Sequence, residues 1–377
     1  MQNSNYIKRE NDQIVSGRDL PEFRRGMGLG GWLLPEGYMW EFEGEVNSPL
    51  RMEKLVANIL GVDSEEFWQK YLDRFITERD IETIARAGFD HVRLPLNSRT
   101  IMSQGHLSAE GARRIDTLID WCKSSGLTVV LDLHGAPGGQ TGANIDDSPN
   151  RAPELFTDAS NFEAGVRLWG ELAERYVDEP WVAAYDILNE PLPDTEDNRA
   201  LIPELNRFHR EAAHAIRGVD PWHLLSFEGW HWSTKFEGLE LDIDENSVLH
   251  FHKYWSTPDT SSIQPYLSLR RNTGLPLWMG ESGENTNEWY GKAFALFESH
   301  SIPWTFWTWK KLARTNSPAT ITKPQHWDLL EAAAQNPTLA IDREKASAAL
   351  WQFVDNLPLE RCTINPDVLE SLPGIHS

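Results

Sequence analysis

Residues 182–193, "VAAYDILNEPLP", form a short apolar run that leads directly into Asn189 and Glu190 and is stopped by Pro191. Seven further runs of this β-rich kind occur along the chain, at 26–32, 90–95, 127–134, 223–229, 247–254, 275–281 and 302–309. Short apolar runs bounded by turn residues are typical of buried strands. The sequence therefore predicts eight strands.

Amphipathic stretches separate most of these strands. We predict helices where apolar residues recur at helical spacing, at 64–87, 108–125, 161–177, 197–217, 287–299 and 339–355. Ser64 is the predicted N-cap of the first helix, and Gly88 follows its end. Between the fifth and sixth strands no convincing helix is visible. Eight strand and helix units are typical of a (β/α)8 TIM barrel, an α/β fold of about 250 residues, which leaves room here for long βα loops.

A single domain is expected, because the sequence shows no internal repeat and no linker. We assign 1–20 to a polar N-terminal extension, 21–358 to the barrel and 359–377 to a C-terminal tail that could be loosely held.

The composition excludes several classes of protein. No window approaches the roughly 18 uninterrupted apolar residues of a membrane-spanning helix. The polar N-terminus lacks the apolar segment of a secretion signal, and Cys122 and Cys362 are too few for a disulfide framework, so we predict a cytoplasmic protein. A net charge of -22 argues against nucleic acid and anionic membranes as partners. The oligomeric state stays open.

Polar side chains follow the predicted strands at their ends, where a barrel of this class carries its chemistry. They are Trp32 with Glu36, Arg93 with Asn97, His134, Asn189 with Glu190, Glu228 with Trp230, His252 with Tyr254, Glu281, and Trp307 with Trp309. Glu190 and Glu281 would face each other across the barrel mouth. Retaining glycosidases use two carboxyl groups about 5 to 5.5 Å apart, one as acid and base and one as nucleophile.

The chain resembles glycoside hydrolase family 5 of clan A, and within it most closely the exo-β-1,3-glucanase type. The matching stretches are "GLGGWLLPE", "HVRLPLN", "LDLHGAPGGQTG", "DILNEP", "HFHKYW", "WMGESGE" and "FWTWK", in the family's order between residues 28 and 310. The resemblance implies a retaining β-glycoside hydrolase that needs no cofactor and no metal.

The resemblance also implies a role for individual residues. Glu190 matches the acid/base and Glu281 the nucleophile, while Asn189 matches the residue that hydrogen-bonds the sugar 2-hydroxyl. Arg93 matches an arginine beneath the nucleophile, where its charge would favour the ionised carboxylate. The other matching positions are Tyr254, which would donate to the nucleophile; His134 and His252, which would line the subsite floor; Trp307, or alternatively Trp309, as the platform under the sugar; and Glu36, which would bind sugar hydroxyls.

Two loops depart from the exo-glucanase pattern, so the preferred sugar and linkage stay open. They are "GYMWEFEGEV" at 37–46 and the later part of "GGQTGANIDDSPNRAPELF" at 138–156. Long insertions at 33–63, 135–160 and 310–337 would wall off one end of the groove, which favours action on chain ends. Endo-acting glucanase or mannanase-like activity is the alternative within the family.

Purely structural roles are the alternative to several of these assignments. The 17 tryptophans suit stacking on sugars but also fill large cores, and Trp230, His231, Trp232 and Trp255 are open to either interpretation. Glu228, Glu284 and Glu288 are expected to be supporting or surface carboxylates. His250 and His252 fall on one side of a strand and could share a metal ion, but metal-dependent barrel hydrolases carry such a pair on the first strand. A carbohydrate-binding pseudoenzyme would keep the tryptophans without needing both Glu190 and Glu281.

Overall fold

The computed structural model describes residues 4–377 and contains a closed barrel of eight parallel strands. We number its strands β1 to β8: Arg25–Gly28, His91–Asn97, Thr128–Gly135, Val182–Asp186, Leu224–Glu228, Ser247–His252, Leu277–Gly283 and Trp304–Trp307. Each strand pairs with its neighbours in the chain, and β8 closes the barrel on β1 through the register Trp304 to Arg25. Each of the eight predicted runs overlaps one of these strands, so the predicted (β/α)8 fold is confirmed.

Helices surround the barrel. The longer ones are Pro49–Leu60, Ser64–Arg74, Glu78–Ala87, Ala109–Ser125, Ala159–Tyr176, Ile202–Arg217, Thr260–Thr273, Asn287–Ser299, Trp327–Gln335 and Arg343–Asn356. Short helical segments lie at Gly37–Trp40, Gly61–Asp63, Ser98–Ile101, Glu196–Arg199, Trp230–Ser233, Leu359–Arg361 and Pro366–Ser371. Between β5 and β6 only the four-residue segment Trp230–Ser233 is helical, and three of its residues have positive φ, so the absence of a regular helix there was predicted correctly.

Several predicted helix boundaries were wrong. The stretch 64–87 is two helices, because Thr77 starts the second with a reciprocal capping box to Asp80. Ser64 was predicted as the N-cap but is the first residue of its helix. The N-cap is Asp63, whose side chain makes no capping hydrogen bond. The helix Thr260–Thr273 was not predicted at all. Pro265 lies within it, and its apolar residues are not concentrated on one face, so its sequence lacks the usual helical pattern.

The N-terminal extension closes the floor of the barrel. Its hairpin pairs Lys8–Glu10 with Gln13–Val15, and Ile7 is fully buried. The apolar cluster around Ile7 consists of Phe23, Val130, Ala183, Ala184, Leu224, Val248 and Trp278. These residues lie towards the amino ends of the strands, so the extension seals the end opposite the carboxyl ends.

The C-terminal segment is packed, which corrects the expectation that it could be loosely held. Thr363–Ile364 pairs with Ala319–Ile321, which itself pairs with Lys310–Leu312. Val368 and Ile375 are buried in the main core. The segment therefore folds onto the outer face of the barrel. Among residues 4–377, no helix has the length and apolar content needed to cross a bilayer.

Candidate active site

Arg93 lies at the centre of the barrel mouth and is completely buried. From β2 its guanidinium donates to four acceptors on, or directly after, three other strands. The distances are 2.8 Å to Glu281 Oε2, 2.9 Å to Asp186 Oδ2, 2.8 Å to Asn189 Oδ1 and 2.9 Å to Glu228 Oε1. Asp132 Oδ2, on β3, forms an ion pair with Arg93 Nη2 at 3.1 Å. Arg93 therefore fixes the positions of the acidic side chains relative to one another.

Glu281, on β7, is held on both of its oxygens. Arg93 Nη1 donates to one oxygen, and the Tyr254 hydroxyl donates to the other at 2.6 Å. Two donors on opposite oxygens fix the orientation of this carboxyl group. Arg93 and Tyr254 both contact Glu281, as the resemblance implied, and the role of Glu281 as nucleophile stays a prediction.

Glu190 follows β4 and has a different environment. Its Oε1 lies 2.6 Å from His252 Nδ1, and its backbone N–H donates to Glu228 Oε2 at 2.7 Å. Burial raises the pKa of Glu190 to about 7, although His134 and Arg93 counteract part of that effect. One carboxylate oxygen of Glu190 and one of Glu281 lie within 4.8 Å of each other, with His252 between them. The two acids are therefore close together and unequal.

Asn189 is oriented by two neighbours. Its Oδ1 accepts from Arg93, and its Nδ2 lies 3.3 Å from His134 Nε2. His134 Nδ1 lies 2.8 Å from Asp132, and burial lowers the pKa of His134 to about 4, so the ring is neutral. A neutral ring that donates to Asp132 accepts from Asn189 at Nε2. Asn189 is fully buried, and its contact with a substrate hydroxyl stays a prediction.

Trp307, at the end of β8, forms one wall of the site. Its ring stacks on His134 with centroids 5.5 Å apart and an angle of 2° between the planes, and its Nε1 donates to the Tyr38 hydroxyl at 2.7 Å. Glu36 is nearly buried, and burial together with the charges of Glu281 and Glu190 raises its pKa well above the usual range. Trp307 and Glu36 both face the cavity, as predicted.

The cavity above these groups has a volume of about 790 Å³, within the range of small-molecule sites. It is lined by Glu36, Tyr38, His134, Asn144, Ile145, Glu190, Trp232, Thr234, His252, Tyr254, Trp255, Glu281, Glu284, Trp307, Arg314 and Asn316. Trp255 is 73% exposed at the rim. Trp232 and Trp255 are thus available as platforms, whereas Trp230 is buried and donates to the Glu237 carbonyl.

A family model described as cellulase, glycosyl hydrolase family 5, matches residues 52–312. The chain belongs to glycosyl hydrolase family 5. A β-xylosidase from Phanerodontia chrysosporium is 31% identical over 74% of this chain and 61% of its own length. A probable glucan 1,3-β-glucosidase A from Emericella nidulans is 29% identical over 74% of this chain and 69% of its own. The chain spans less than two thirds of the β-xylosidase.

The fold is also found among solved structures. The crystal structure of a rutinosidase from Aspergillus niger superposes with a TM-score of 0.62 at 18% identity, over 80% of this chain and 93% of the other. At that identity the likeness shows the barrel alone.

One member of the predicted family 5 site lies elsewhere. Trp309 is fully buried, and its Nε1 donates to Asp80 Oδ1 at 2.8 Å, away from the cavity. The strand ends at Trp307, so the alternation that would bring both tryptophans to one face stops before Trp309. The prediction of Trp309 as an alternative sugar platform is therefore wrong.

Three acids beneath the site were not singled out as site residues, although Glu228 was expected to be a supporting or surface group. Asp132, Asp186 and Glu228 are fully buried around Arg93. Asp132 lies two positions before His134 on β3, which places both on the same face of the strand. A charged residue inside an otherwise apolar strand was the signal that could have found them.

The acids and histidines also raise the question of a cation. Ligand atoms of Glu228, His250 and His252 lie within 4.8 Å of one another. However, His250 Nε2 and His252 Nε2 are 3.0 Å apart, and Glu228 accepts from Arg93. A cation there would break these contacts and face the Arg93 guanidinium. The arrangement suits a hydrogen-bonded network better than a metal site.

Proposed function

We propose that the protein is a retaining β-glycoside hydrolase that acts on the ends of β-glucan oligosaccharides or on small β-glycosides. The observation that carries this proposal is the pair of Glu190 and Glu281 oxygens within 4.8 Å of each other in unequal surroundings. A separation of about 5 to 5.5 Å between the carboxyl groups suits double displacement, whereas inverting enzymes leave room for a water molecule with about 6.5 to 9.5 Å.

The mechanism has two steps. In the first, ionised Glu281 attacks the anomeric carbon while protonated Glu190 gives its proton to the departing glycosidic oxygen, so that one C–O bond forms and another breaks. In the second, Glu190 takes a proton from water, which displaces Glu281 and releases the sugar. In this mechanism Asn189 would hydrogen-bond the 2-hydroxyl as the transition state forms.

Action on chain ends is supported by the shape of the cavity. Its lining comes from the segments after seven of the eight strands, including Tyr38 after β1, Ile145 after β3 and Arg314 after β8. The long segments after β1, β3 and β8 thus all border the cavity, which supports action on the ends of chains. A cytoplasmic location remains a prediction.

A substrate panel tests the activity first. Aryl β-glucosides, mannosides, galactosides and xylosides should be compared with laminari-oligosaccharides and cello-oligosaccharides, and the first anomer released should be identified by proton NMR. We expect the β-anomer and monosaccharides as early products. An α-anomer as the first product would exclude retention, and an early ladder of oligosaccharides from a polymeric β-glucan would exclude exo action.

Two variants test the roles of the acids. Glu281→Gly should abolish hydrolysis, and added azide should restore turnover of an activated aryl glycoside with formation of the α-glycosyl azide. Glu190→Gly with azide should instead give the β-glycosyl azide, because azide then attacks the glycosyl-enzyme. A chelator provides a separate test. The hydrolytic activity of the wild-type enzyme should not change when a chelator is added, whereas loss of activity would favour a metal-dependent hydrolase.

A further inference from the structure

A chain of hydrogen bonds connects the base of the barrel mouth with Glu190. Asp186 Oδ1 lies 3.0 Å from His250 Nδ1, His250 Nε2 lies 3.0 Å from His252 Nε2, and His252 Nδ1 lies 2.6 Å from Glu190 Oε1. Asp186, His250 and His252 are buried. Of the four, only His252 and Glu190 line the cavity, so His250 and Asp186 do not reach a substrate.

The direction of donation along this chain follows from its buried end. Although burial opposes ionisation, His250 and Arg93 hold the pKa of Asp186 below its usual range, so Asp186 is an acceptor. Burial lowers the pKa of His250, which is therefore neutral and carries its single proton on Nδ1, towards Asp186. Its Nε2 then carries a lone pair and acts as a hydrogen-bond acceptor. His252 must carry its proton on Nε2 and present a lone pair at Nδ1 to Glu190.

We infer that His250, anchored on Asp186, is a positioning residue that fixes the Nε2–H tautomer of His252 and so gives the proton of Glu190 an acceptor. The inference rests on the proposed role of Glu190 as the general acid. An acceptor at Nδ1 stabilises the protonated carboxyl, whereas a donor there would stabilise the carboxylate. His250 would thus hold Glu190 in the form that the first chemical step needs.

The packing around His250 supports a fixed ring. The ring lies against Trp278 with centroids 4.2 Å apart, and a Cβ on Gly280 would come 1.9 Å from His250 Nε2. Ser226 Oγ donates to Asp186 at 2.9 Å and so shares this acceptor with His250. Glycine at 280 therefore leaves the space in which the two imidazoles meet.

Other titratable or charged groups act on Glu190 and His252 from the neighbouring elements. They are Glu36, Arg93, Asp132, His134, Asp186, Glu228, Tyr254 and Glu281. Glu228 Oε1 lies 3.6 Å from His252 Nε2, on the side where the tautomer places the proton, and so favours the same tautomer. All of these side chains remain present when His250 alone is substituted.

The test is the alkaline limb of the pH profile of kcat/KM. His250→Phe keeps a ring against Trp278 but removes the acceptor, so His252 can donate to Glu190 from Nδ1. We expect the limb to move down by about one pH unit, equivalent to one hydrogen bond. A matched control is His91→Gln. This substitution removes another buried histidine that packs near Trp278 but takes no part in the hydrogen bonds from Asp186 to Glu190. It should leave the limb in place.

A limb that stays in place in His250→Phe while kcat falls would overturn the inference and leave His250 a structural role. Ring-nitrogen NMR of the wild-type protein, labelled with ¹⁵N-histidine, gives an independent measurement if that variant does not fold. Its spectrum at pH 6 should show His252 protonated at Nε2, and protonation at Nδ1 would equally overturn the inference. Absence of glycosidase activity against every substrate, by contrast, would refute the proposed function and leave the tautomer measurable.

Discussion

At the scale of single residues, the site is dominated by an imbalance of charge. Arg93 is one cation in contact with Asp132, Asp186, Glu228 and Glu281, all of them buried. Burial raises the pKa of Asp132 and of Glu228, and the neighbouring charge of Asp186 raises both further. Crowding of acids around one guanidinium therefore disfavours further negative charge there, and beside the cavity burial raises the pKa of both Glu190 and Glu36.

The proton on Glu190 leads to a prediction about pH. Because the pKa of Glu190 is raised to about 7 and its acid form is the active one, kcat/KM should fall as the pH rises through about 7. The fall should be clear for alkyl or unsubstituted phenyl β-glycosides, whose leaving groups need a proton. It should be much weaker for 2,4-dinitrophenyl glycosides, which leave without help. Identical alkaline limbs for both substrate classes would show that the limb does not belong to a general acid.

At the scale of elements, two glycines of one helix have opposite surroundings. In Ala159–Tyr176, a Cβ on Gly165 would lie 2.9 Å from Phe208 Cε2, whereas a Cβ on Gly170 would meet nothing closer than Ala215 Cβ at 3.8 Å. Gly165 is therefore needed for the close packing of this helix on Ile202–Arg217, and Gly170 is not.

We therefore expect opposite effects of alanine at these two positions. Gly170→Ala should raise the free energy of unfolding by about 0.5 to 1 kcal/mol, because alanine is the better helix former. Gly165→Ala should lower it by roughly 1 to 3 kcal/mol through overpacking against Phe208. Thermal unfolding of both variants measures the difference. A melting temperature that rises in both would mean that the two helices are free to separate.

A second contact between elements depends on a buried ion pair. Lys310 Nζ lies 2.7 Å from Asp80 Oδ1, and both side chains are fully buried. Asp80 also accepts from Thr77 and Trp309, so it joins the start of Glu78–Ala87 to the chain after β8. Asp80→Asn should cost about 3 to 5 kcal/mol by leaving Lys310 charged and unpaired. The double variant with Lys310→Met should lose less in chemical denaturation, and an equal or larger loss would contradict this account.

The elements also show where the sequence was informative. The strands were predictable because each is a short run buried on both faces, and Glu190 and Glu281 because the barrel places strand ends together. The break before Thr77 depends on a local capping box inside a continuous helical pattern, and the place of Trp309 depends on where β8 ends. Asp132, Asp186 and Glu228 stand out in the sequence as charged residues of apolar strands, but their role depends on the tertiary position of Arg93.

At the scale of the whole molecule, the two ends of the barrel have separate tasks. The carboxyl ends of the strands carry the acids and the cavity, and the N-terminal segment covers the amino ends with Ile7 and Phe23. In barrels of this kind, residues of the floor are expected to affect stability and residues of the mouth to affect activity. The Tyr6 hydroxyl, which donates to the Val177 carbonyl at 2.7 Å, ties the segment to the loop before β4.

This separation predicts a crossed result for two substitutions. Ile7→Ala should lower the free energy of unfolding by about 2 to 5 kcal/mol, because it leaves a cavity against Val130, Leu224 and Val248. Its kcat/KM at 25 °C should equal that of the wild type. Glu190→Gln should show the reverse, with a nearly unchanged melting temperature and a loss of at least about 100-fold in kcat/KM for unactivated glycosides. A change of KM in Ile7→Ala would mean that the floor communicates with the cavity through the barrel core.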